Sequence, residues 1–113
     1  LALNGSMREK GLTSRLIRRL VDVMVSVDPD IRIDRLDIAD LNIAPCRVVC
    51  SRTCITNPYV CAVKDDLEDT LDRMRSADVL ILGAPLYFRA PPAHFHAWVE
   101  RLVSLFYFQE KHL

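Results

Sequence analysis

A chain of 113 residues with half of its side chains apolar is long enough for one domain with its own core and too short for two. Its 15 basic residues balance 15 acidic ones, so neither nucleic acid nor an anionic membrane surface is expected as a partner. No apolar run approaches the roughly 20 residues that span a bilayer, and Leu1-Ala2-Leu3 lacks the regions of a secretory leader, so the expected compartment is the cytoplasm.

Leu1 to Leu3 reads as the end of a buried strand, and a start inside a strand reads as an incomplete view of a longer protein. The following loop, Asn4-Gly5-Ser6-Met7-Arg8 through Thr13-Ser14, leads into a helix. Backbone N–H groups at a helix start hold phosphate well, assisted by the helix dipole. Ser6, Thr13 and Ser14 add hydroxyls, Arg8 adds a planar charged fork, and Gly5 and Gly11 permit close backbone approach. The stretch matches neither GxGxxG nor GxxxxGK(S/T), which disfavours Rossmann and Walker-type sites. Its plainer reading makes Thr13 or Ser14 an N-cap and Arg8 a solvated charge.

Thr13 to Val27 carries Leu16, Ile17, Leu20, Val21, Met24 and Val27 at helical spacing, with Arg15, Arg18, Arg19 and Asp22 on the outer face. Ile31 to Leu36 alternates largely with period two and reads as a second strand. Residues 45–63 form a cysteine-rich loop in which Cys46, Cys50, Cys54 and Cys61 lie within 16 positions, and the rest of the chain has no cysteine. Disulfide frameworks spread their cysteines across a fold, whereas four thiolates on one loop suit a soft metal, either zinc or an iron–sulfur cluster. The plainer reading is four ordinary thiols.

Asp65 can cap a helix over Asp66 to Arg75, and Val79-Leu80-Ile81-Leu82 reads as a parallel strand covered on both faces. Gly83-Ala84-Pro85-Leu86-Tyr87-Phe88 follows it as a stiff loop, able to offer a flat apolar wall and backbone polar groups to a planar ring. The plainer reading buries both aromatics under the last helix. Pro91-Pro92 opens that helix, with Phe95, Trp98, Val99, Leu102, Val103 and Phe106 as its buried stripe. His94 and His96, two apart, point to different faces and make poor metal partners for each other. The chain ends in the aromatic-rich Leu105-Phe106-Tyr107-Phe108, which seeks a partner surface. The order β-α-β-loop-α-β-α predicts a single α/β domain over 1–113, a three-layer sandwich with a parallel sheet. Loops at the carboxyl ends of such strands converge on a ligand crevice, and these two resemble the halves of a mononucleotide site, with flavin the best fit.

Three stretches carry a family resemblance. Asn4-Gly5-Ser6-Met7-Arg8 with Gly11-Leu12-Thr13 is similar to the G-S-x-R…G-N-T phosphate loop of the flavodoxin-like NAD(P)H-dependent FMN reductases. Pro45-Cys46 to Cys61, running into Val63-Lys64-Asp65-Asp66-Leu67, resembles the cysteine segment of the iron–sulfur flavoproteins within that group. Ala77-Asp78 to Phe88, with Pro92-Ala93 and Glu100-Arg101, resembles the family's A-D…G-S/T-P-x-Y-F stretch and the helix after it.

The resemblance implies a flavodoxin-like fold truncated after its third β-α unit, without the family's fourth and fifth strands. It implies an FMN-binding, electron-transferring oxidoreductase that works as a homodimer or homotetramer, with NAD(P)H or a protein as electron donor. Ser6, Arg8 and Thr13, with Ser14 adjacent, would hold the FMN phosphate, and Pro85, Leu86, Tyr87 and Phe88 would lie along the isoalloxazine. Cys46, Cys50, Cys54 and Cys61 would ligate a 4Fe-4S cluster, with zinc the lesser option. The spacing C-x3-C-x3-C-x6-C has one residue more in each of its first two gaps than the family's usual C-x2-C-x2-C. No catalytic acid or base is expected. The alternative is a zinc-stabilised or degenerate α/β interaction module without flavin.

Overall fold

A computed structural model describes residues 1–47, 53–57 and 60–103. Three short strands form one parallel sheet in the order β2-β1-β3: β1 (Ala2–Asn4), β2 (Arg35–Asp37) and β3 (Ile81–Gly83). β1 is central and buried throughout, and its Leu3 faces Leu36 on one side and Leu82 on the other. That register sets Asn4, Asp37 and Gly83 side by side at the carboxyl ends of the strands. The chain moves from β2 on one flank of β1 to β3 on the other, which places a topological switch point between β1 and β3.

The helices are α1 (Leu12–Val27), α2 (Thr53–Thr56), α3 (Leu67–Arg75) and α4 (Ala93–Glu100), with one 3-10 turn over Ile38–Asp40. Parallel strands need crossovers, and α1 and α3 supply them. The two faces of the sheet bury different sets of residues. Under α1, Ala2, Ile17 and Val21 pack with Ile33 and Ile81. On the opposite face Leu3, Leu36 and Ile38 pack with Leu67 and Leu71 of α3 and with Phe95 and Trp98 of α4. The three-layer sandwich expected from the element order is therefore present.

Trp98 is fully buried; its indole N–H donates to Thr70 Oγ1 at 3.0 Å, and that hydroxyl donates to Leu67 O at 2.7 Å. The only polar atom of the largest core side chain is thus satisfied, which avoids the ~1–3 kcal/mol cost of an orphaned buried donor. Arg73 of α3 grips Asp34 through Nε (2.8 Å) and Nη2 and donates to Arg35 O at 2.9 Å, tying the helix to the start of β2.

Five expectations change. The third strand is Ile81–Gly83 rather than Val79 to Leu82, and it is not covered on both faces: it is an edge strand of the described sheet, and Val79, Leu80 and Leu82 are exposed. The second strand is shorter than Ile31 to Leu36, because β1 offers ladder partners only from Ala2 onward. Helix α1 begins at Leu12 with Gly11 as its N-cap, so Thr13 and Ser14 sit inside the first turn rather than capping it. Leu16, Leu20 and Val27 are exposed, because the narrow sheet covers only the arc of α1 around Ile17 and Val21. Val99 is exposed too, since the buried arc of α4 centres on Trp98 and takes Phe95, Ala97 and Leu102. Asp65 does meet its helix as expected: Oδ1 accepts from Leu67 N–H at 3.2 Å, although Asp66 occupies the N-cap position. Phe106 and the other residues of the aromatic terminus lie outside the described residues.

Candidate functional site

The loop after β1 is organised by Asn4, an amide 6% exposed. Its Nδ2 donates to Asp37 Oδ1 (2.6 Å) at the end of β2 and to Ser14 Oγ (2.9 Å) in the first turn of α1, while its Oδ1 accepts from Ser6 N–H (3.1 Å). One side chain thereby fixes two strands, a helix and a loop relative to each other. The chain then curls around the Arg8 carbonyl, which accepts from Ser14 Oγ (2.9 Å), Gly11 N–H (3.0 Å) and Ser6 Oγ (3.3 Å). Ser6 Oγ also accepts from Arg8 N–H at 3.1 Å.

Of the four polar residues singled out in this loop, Ser6 and Ser14 are buried and turn their hydroxyls inward to shape it. Arg8 is exposed, and Thr13 is half-buried with its methyl toward Gly83; both sit at the start of the helix. The first turn of α1 has no side-chain cap, which leaves the Leu12, Thr13 and Ser14 amides at the positive end of a 16-residue helix. Close approach at Gly11 is part of the geometry, since a Cβ there would lie 3.1 Å from Arg8 O and 3.2 Å from Ser6 Oγ. A phosphate monoester fits an uncapped helix start flanked by an arginine and a threonine hydroxyl.

The second loop is bound to the first. Gly5 N–H donates to Gly83 O at 2.6 Å, and a Cβ on Gly5 would run into the Phe95 ring and lie 3.0 Å from Ala84 Cβ. Gly83 lies under the first turns of α1, where a Cβ would come within 2.7 Å of Ile17 Cδ1 and 3.2 Å of Thr13 Cγ2. Beyond Pro85 the chain folds back on itself: Tyr87 and Ala90 exchange both backbone hydrogen bonds (2.8 and 3.0 Å) around Phe88 and Arg89. Both turn residues have positive φ, +50° and +67°, the left-handed pair of a type I′ turn, here without glycine or asparagine. Leu86, Tyr87 and Phe88 are all exposed, so neither aromatic belongs to the core under α4.

Beside the first loop, a cleft of about 550 Å³ is lined by Asn4, Ser6, Met7, Ser14, Arg18 and Asp37, among others. A larger cleft of about 710 Å³ lies at the amino ends of the strands and contains no residue of either loop. The smaller cleft lies on the β2 side of β1, lined also by Glu9, Arg35, Ala39 and Asp40, and it contains neither Arg8, Thr13 nor any of Pro85 to Phe88, so it is not a crevice between the two loops.

The cysteine segment is described in part. Cys46 is exposed, Cys54 on α2 and Cys61 are half-buried, and Cys50 lies outside the described residues. Among the described residues no three His, Cys, Asp or Glu side chains gather as a metal site. The donor chemistry suits a soft metal, while assembly of the full ligand set involves Cys50. Both ends of the segment are held by the end of α4. Glu100 accepts from Cys46 N–H at 3.3 Å, and Arg101 forms an ion pair with Asp65 at 2.5 Å, their side chains 2% and 5% exposed. Burial pushes the Asp65 carboxyl up, but the Arg101 hydrogen bond, joined by the Ala44 and Leu67 amides, outweighs it and holds the group below its ordinary 3.8. His94 and His96 are both exposed.

Asn4, Gly83, Asp65 and Arg101 were not among the expected site residues. A signal existed for Gly83, a glycine closing an apolar strand before a loop. Nothing local marks Asn4 or Arg101, whose partners lie up to 33 and 57 positions away.

The profile of the NADPH-dependent FMN reductases matches residues 1–112. The chain belongs to that family. It is 28% identical over 101 residues to an iron-sulfur flavoprotein of Methanocaldococcus jannaschii, covering 89% of this chain and 50% of the relative. It is 28% identical over 103 residues to the iron-sulfur flavoprotein of Methanosarcina thermophila, covering 91% of this chain and 51% of the relative. A shorter match, 42% over 38 residues, links 34% of the chain to 19% of FMN-dependent NADH:quinone oxidoreductase 1 of Pseudomonas syringae. The chain thus spans about half the length of the two flavoproteins. Among the described residues no helix is long and apolar enough to cross a membrane.

Proposed function

We propose that this chain is the FMN-phosphate-binding part of an electron-transferring flavin oxidoreductase. The observation that carries the reading is the uncapped start of α1 beside Arg8 and Thr13, at the carboxyl edge of the paired strands β1 and β3, where the switch point lies. Arg8, the Thr13 hydroxyl and the first-turn amides hold the phosphate, and Ser6 and Ser14 keep the loop in the shape that presents them. Pro85, Leu86, Tyr87 and Phe88 supply the wall along the ring. Bound FMN provides the redox chemistry itself, taking two electrons with hydride and releasing them singly or in pairs. No side chain is assigned as acid or base. NAD(P)H or a protein supplies the electrons, Cys46, Cys50, Cys54 and Cys61 hold a 4Fe-4S cluster, and the assembly is a cytoplasmic homodimer or homotetramer.

The test is an FMN titration followed by flavin fluorescence, on wild type and Arg8→Ala. Losing a charge-assisted hydrogen bond to phosphate, about 1.5–3 kcal/mol, weakens binding roughly tenfold or more. Arg8 is exposed, and the hydrogen bonds that shape the loop use its backbone N–H and carbonyl, which alanine retains, so the fold should survive its truncation. Equal affinity in the two proteins removes Arg8 from the phosphate site. A wild type that takes up no FMN and holds zinc replaces the flavin reading with that of a zinc-stabilised module.

A further inference from the structure

A parallel strand covered by a helix is apolar on that face, yet β2 places two charged residues there. Arg35 and Asp37 stand opposite Ala2 and Asn4 of β1 and so share the face of the sheet on which α1 lies. Helix α1 packs on β1 and β3, and the cleft of about 550 Å³ opens on the β2 side. Its floor includes the buried Asn4, Ser6 and Ser14, which the hydrogen bonds of the first loop hold in place. Its walls are charged: Arg18 comes from α1, Glu9 from the first loop, Arg35 and Asp37 from β2, and Asp40 from the 3-10 turn. Asp37 accepts from Asn4 through Oδ1 (2.6 Å), and its Oδ2 takes no hydrogen bond among the described residues. Glu9, Arg35 and Asp40 make no side-chain ion pair among the described residues, although both signs of charge line one cleft.

The geometry points to this cleft as the seat of a second nucleotide, a nucleoside 5′-phosphate held beside the phosphate of FMN. Carboxylates accept from the hydroxyls of a ribose, and arginines bind a phosphate through charge-assisted hydrogen bonds. Asp37, Asp40 and Glu9 supply the first kind of group, and Arg18 and Arg35 the second. Parallel α/β sheets that bind dinucleotides set a phosphate at the start of the first helix and a ribose on an acid farther along the chain. Asp37 closes β2 level with Asn4 at the end of β1, where such an acid reaches the ribose. Met7, 41% exposed and also lining the cleft, offers the base a polarizable thioether. The volume lies within the roughly 300–1,000 Å³ of small-molecule sites. The seat rests on the flavin reading: with the FMN phosphate at the start of α1 and its ring along Pro85 to Phe88, the β2 side remains for a second nucleotide. The same chemistry has two sources, the adenosine 5′-phosphate half of FAD and the adenosine end of NAD(P)H.

The experiment titrates adenosine 5′-monophosphate calorimetrically into the FMN-loaded protein, so that the start of α1 is already occupied, for wild type, Arg35→Ala and Arg18→Ala. Both arginines are exposed, and the Arg35 carbonyl that accepts from Arg73 is retained by alanine, so the fold should survive. The expected result is saturable binding to wild type that is about tenfold weaker in either variant, while FMN affinity is unchanged. Two further arms separate the sources. If the seat takes half of FAD, FAD binds the flavin-free protein roughly tenfold tighter than FMN does, and Arg35→Ala abolishes that advantage. If it takes the end of a nicotinamide dinucleotide, FAD has no such advantage. Adenosine 5′-monophosphate then competes with NADP⁺, which cannot reduce the flavin, for the FMN-loaded protein. A wild type that binds FMN but neither adenosine 5′-monophosphate nor NADP⁺, and does not prefer FAD, overturns the seat. Binding that both variants retain in full overturns it too. A wild type that takes up no FMN defeats the flavin reading instead, and there the loss of adenosine 5′-monophosphate binding in Arg35→Ala still decides the seat.

Discussion

Gly83 joins the sheet to the proposed phosphate site, and replacing it by alanine should disturb both. A Cβ there would stand 2.7 Å from Ile17 Cδ1, 3.0 Å from Ile17 Cγ1 and 3.2 Å from Thr13 Cγ2, where carbon contacts settle near ~3.5–4.0 Å. Ile17 is buried against Ala2 and Val21 and has little room to swing aside, so the first turns of α1 must lift away from β3. Overpacking of this kind costs about 1–3 kcal/mol, and ~2 kcal/mol is expected for Gly83→Ala. Because Thr13 sits on the displaced turn, FMN affinity should fall several-fold as well. Ile17→Val removes the nearest atom and alone costs about 1 kcal/mol. In the double variant the clash is partly relieved, so its loss should be ~1 kcal/mol less than the sum of the singles. Urea unfolding at constant slope, beside FMN titration, reads both effects. Losses that add within about 0.3–0.5 kcal/mol would refute the contact, since independent sites behave that way.

The positive-φ pair Phe88–Arg89 gives a prediction of opposite sign: a left-handed conformation costs a non-glycine residue roughly 1–2 kcal/mol, so Arg89→Gly should stabilise the fold by about 0.5–1 kcal/mol after the glycine's extra unfolded-state entropy. A lower urea midpoint would show that the turn is not built this way. The buried Arg101–Asp65 pair makes stability depend on acid: Asp65 has a lowered native pKa, so its contribution is complete above the ordinary value of 3.8 and is lost as pH falls through the lower native value. Asp65→Asn should remove that stretch of the pH–stability curve along with about 3–5 kcal/mol at neutral pH, and a curve parallel to wild type between pH 5 and 2 would contradict it.

The order of elements could be read from the chain because its punctuation is local. Gly5 and Gly11 bracket the first loop, Pro29 follows α1, Pro85 breaks the chain after β3, and Pro91-Pro92 sets the start of α4. The two loops were recognisable for the same reason: each is a short polar or proline-rich stretch between an apolar run and a helix. The inward turn of Ser6 and Ser14 was not recognisable. A hydroxyl at a helix start is equally suited to an anion and to a carbonyl, and here the Arg8 carbonyl, brought back by the loop itself, takes it. Asn4 and Arg101 stayed hidden because their roles consist of contacts between distant segments, which no window of sequence contains.

Helix α1 carries two apolar stripes, and the sheet uses only one of them. Ile17 and Val21, with the half-buried Met24, follow the arc that meets Ala2, Ile33 and Ile81, the small footprint that three short strands present on that face. Leu12, Leu16, Leu20, Val23 and Val27 follow a neighbouring arc and are exposed, as are Leu80 and Leu82 at β3. Periodicity reports only that a residue suits burial; which arc is covered depends on how wide a layer lies beneath it. The wide apolar arc of α1 therefore reads correctly as a helix and misleads about its core face, because α1 packs on β1 and β3 and only the arc around Ile17 and Val21 reaches them.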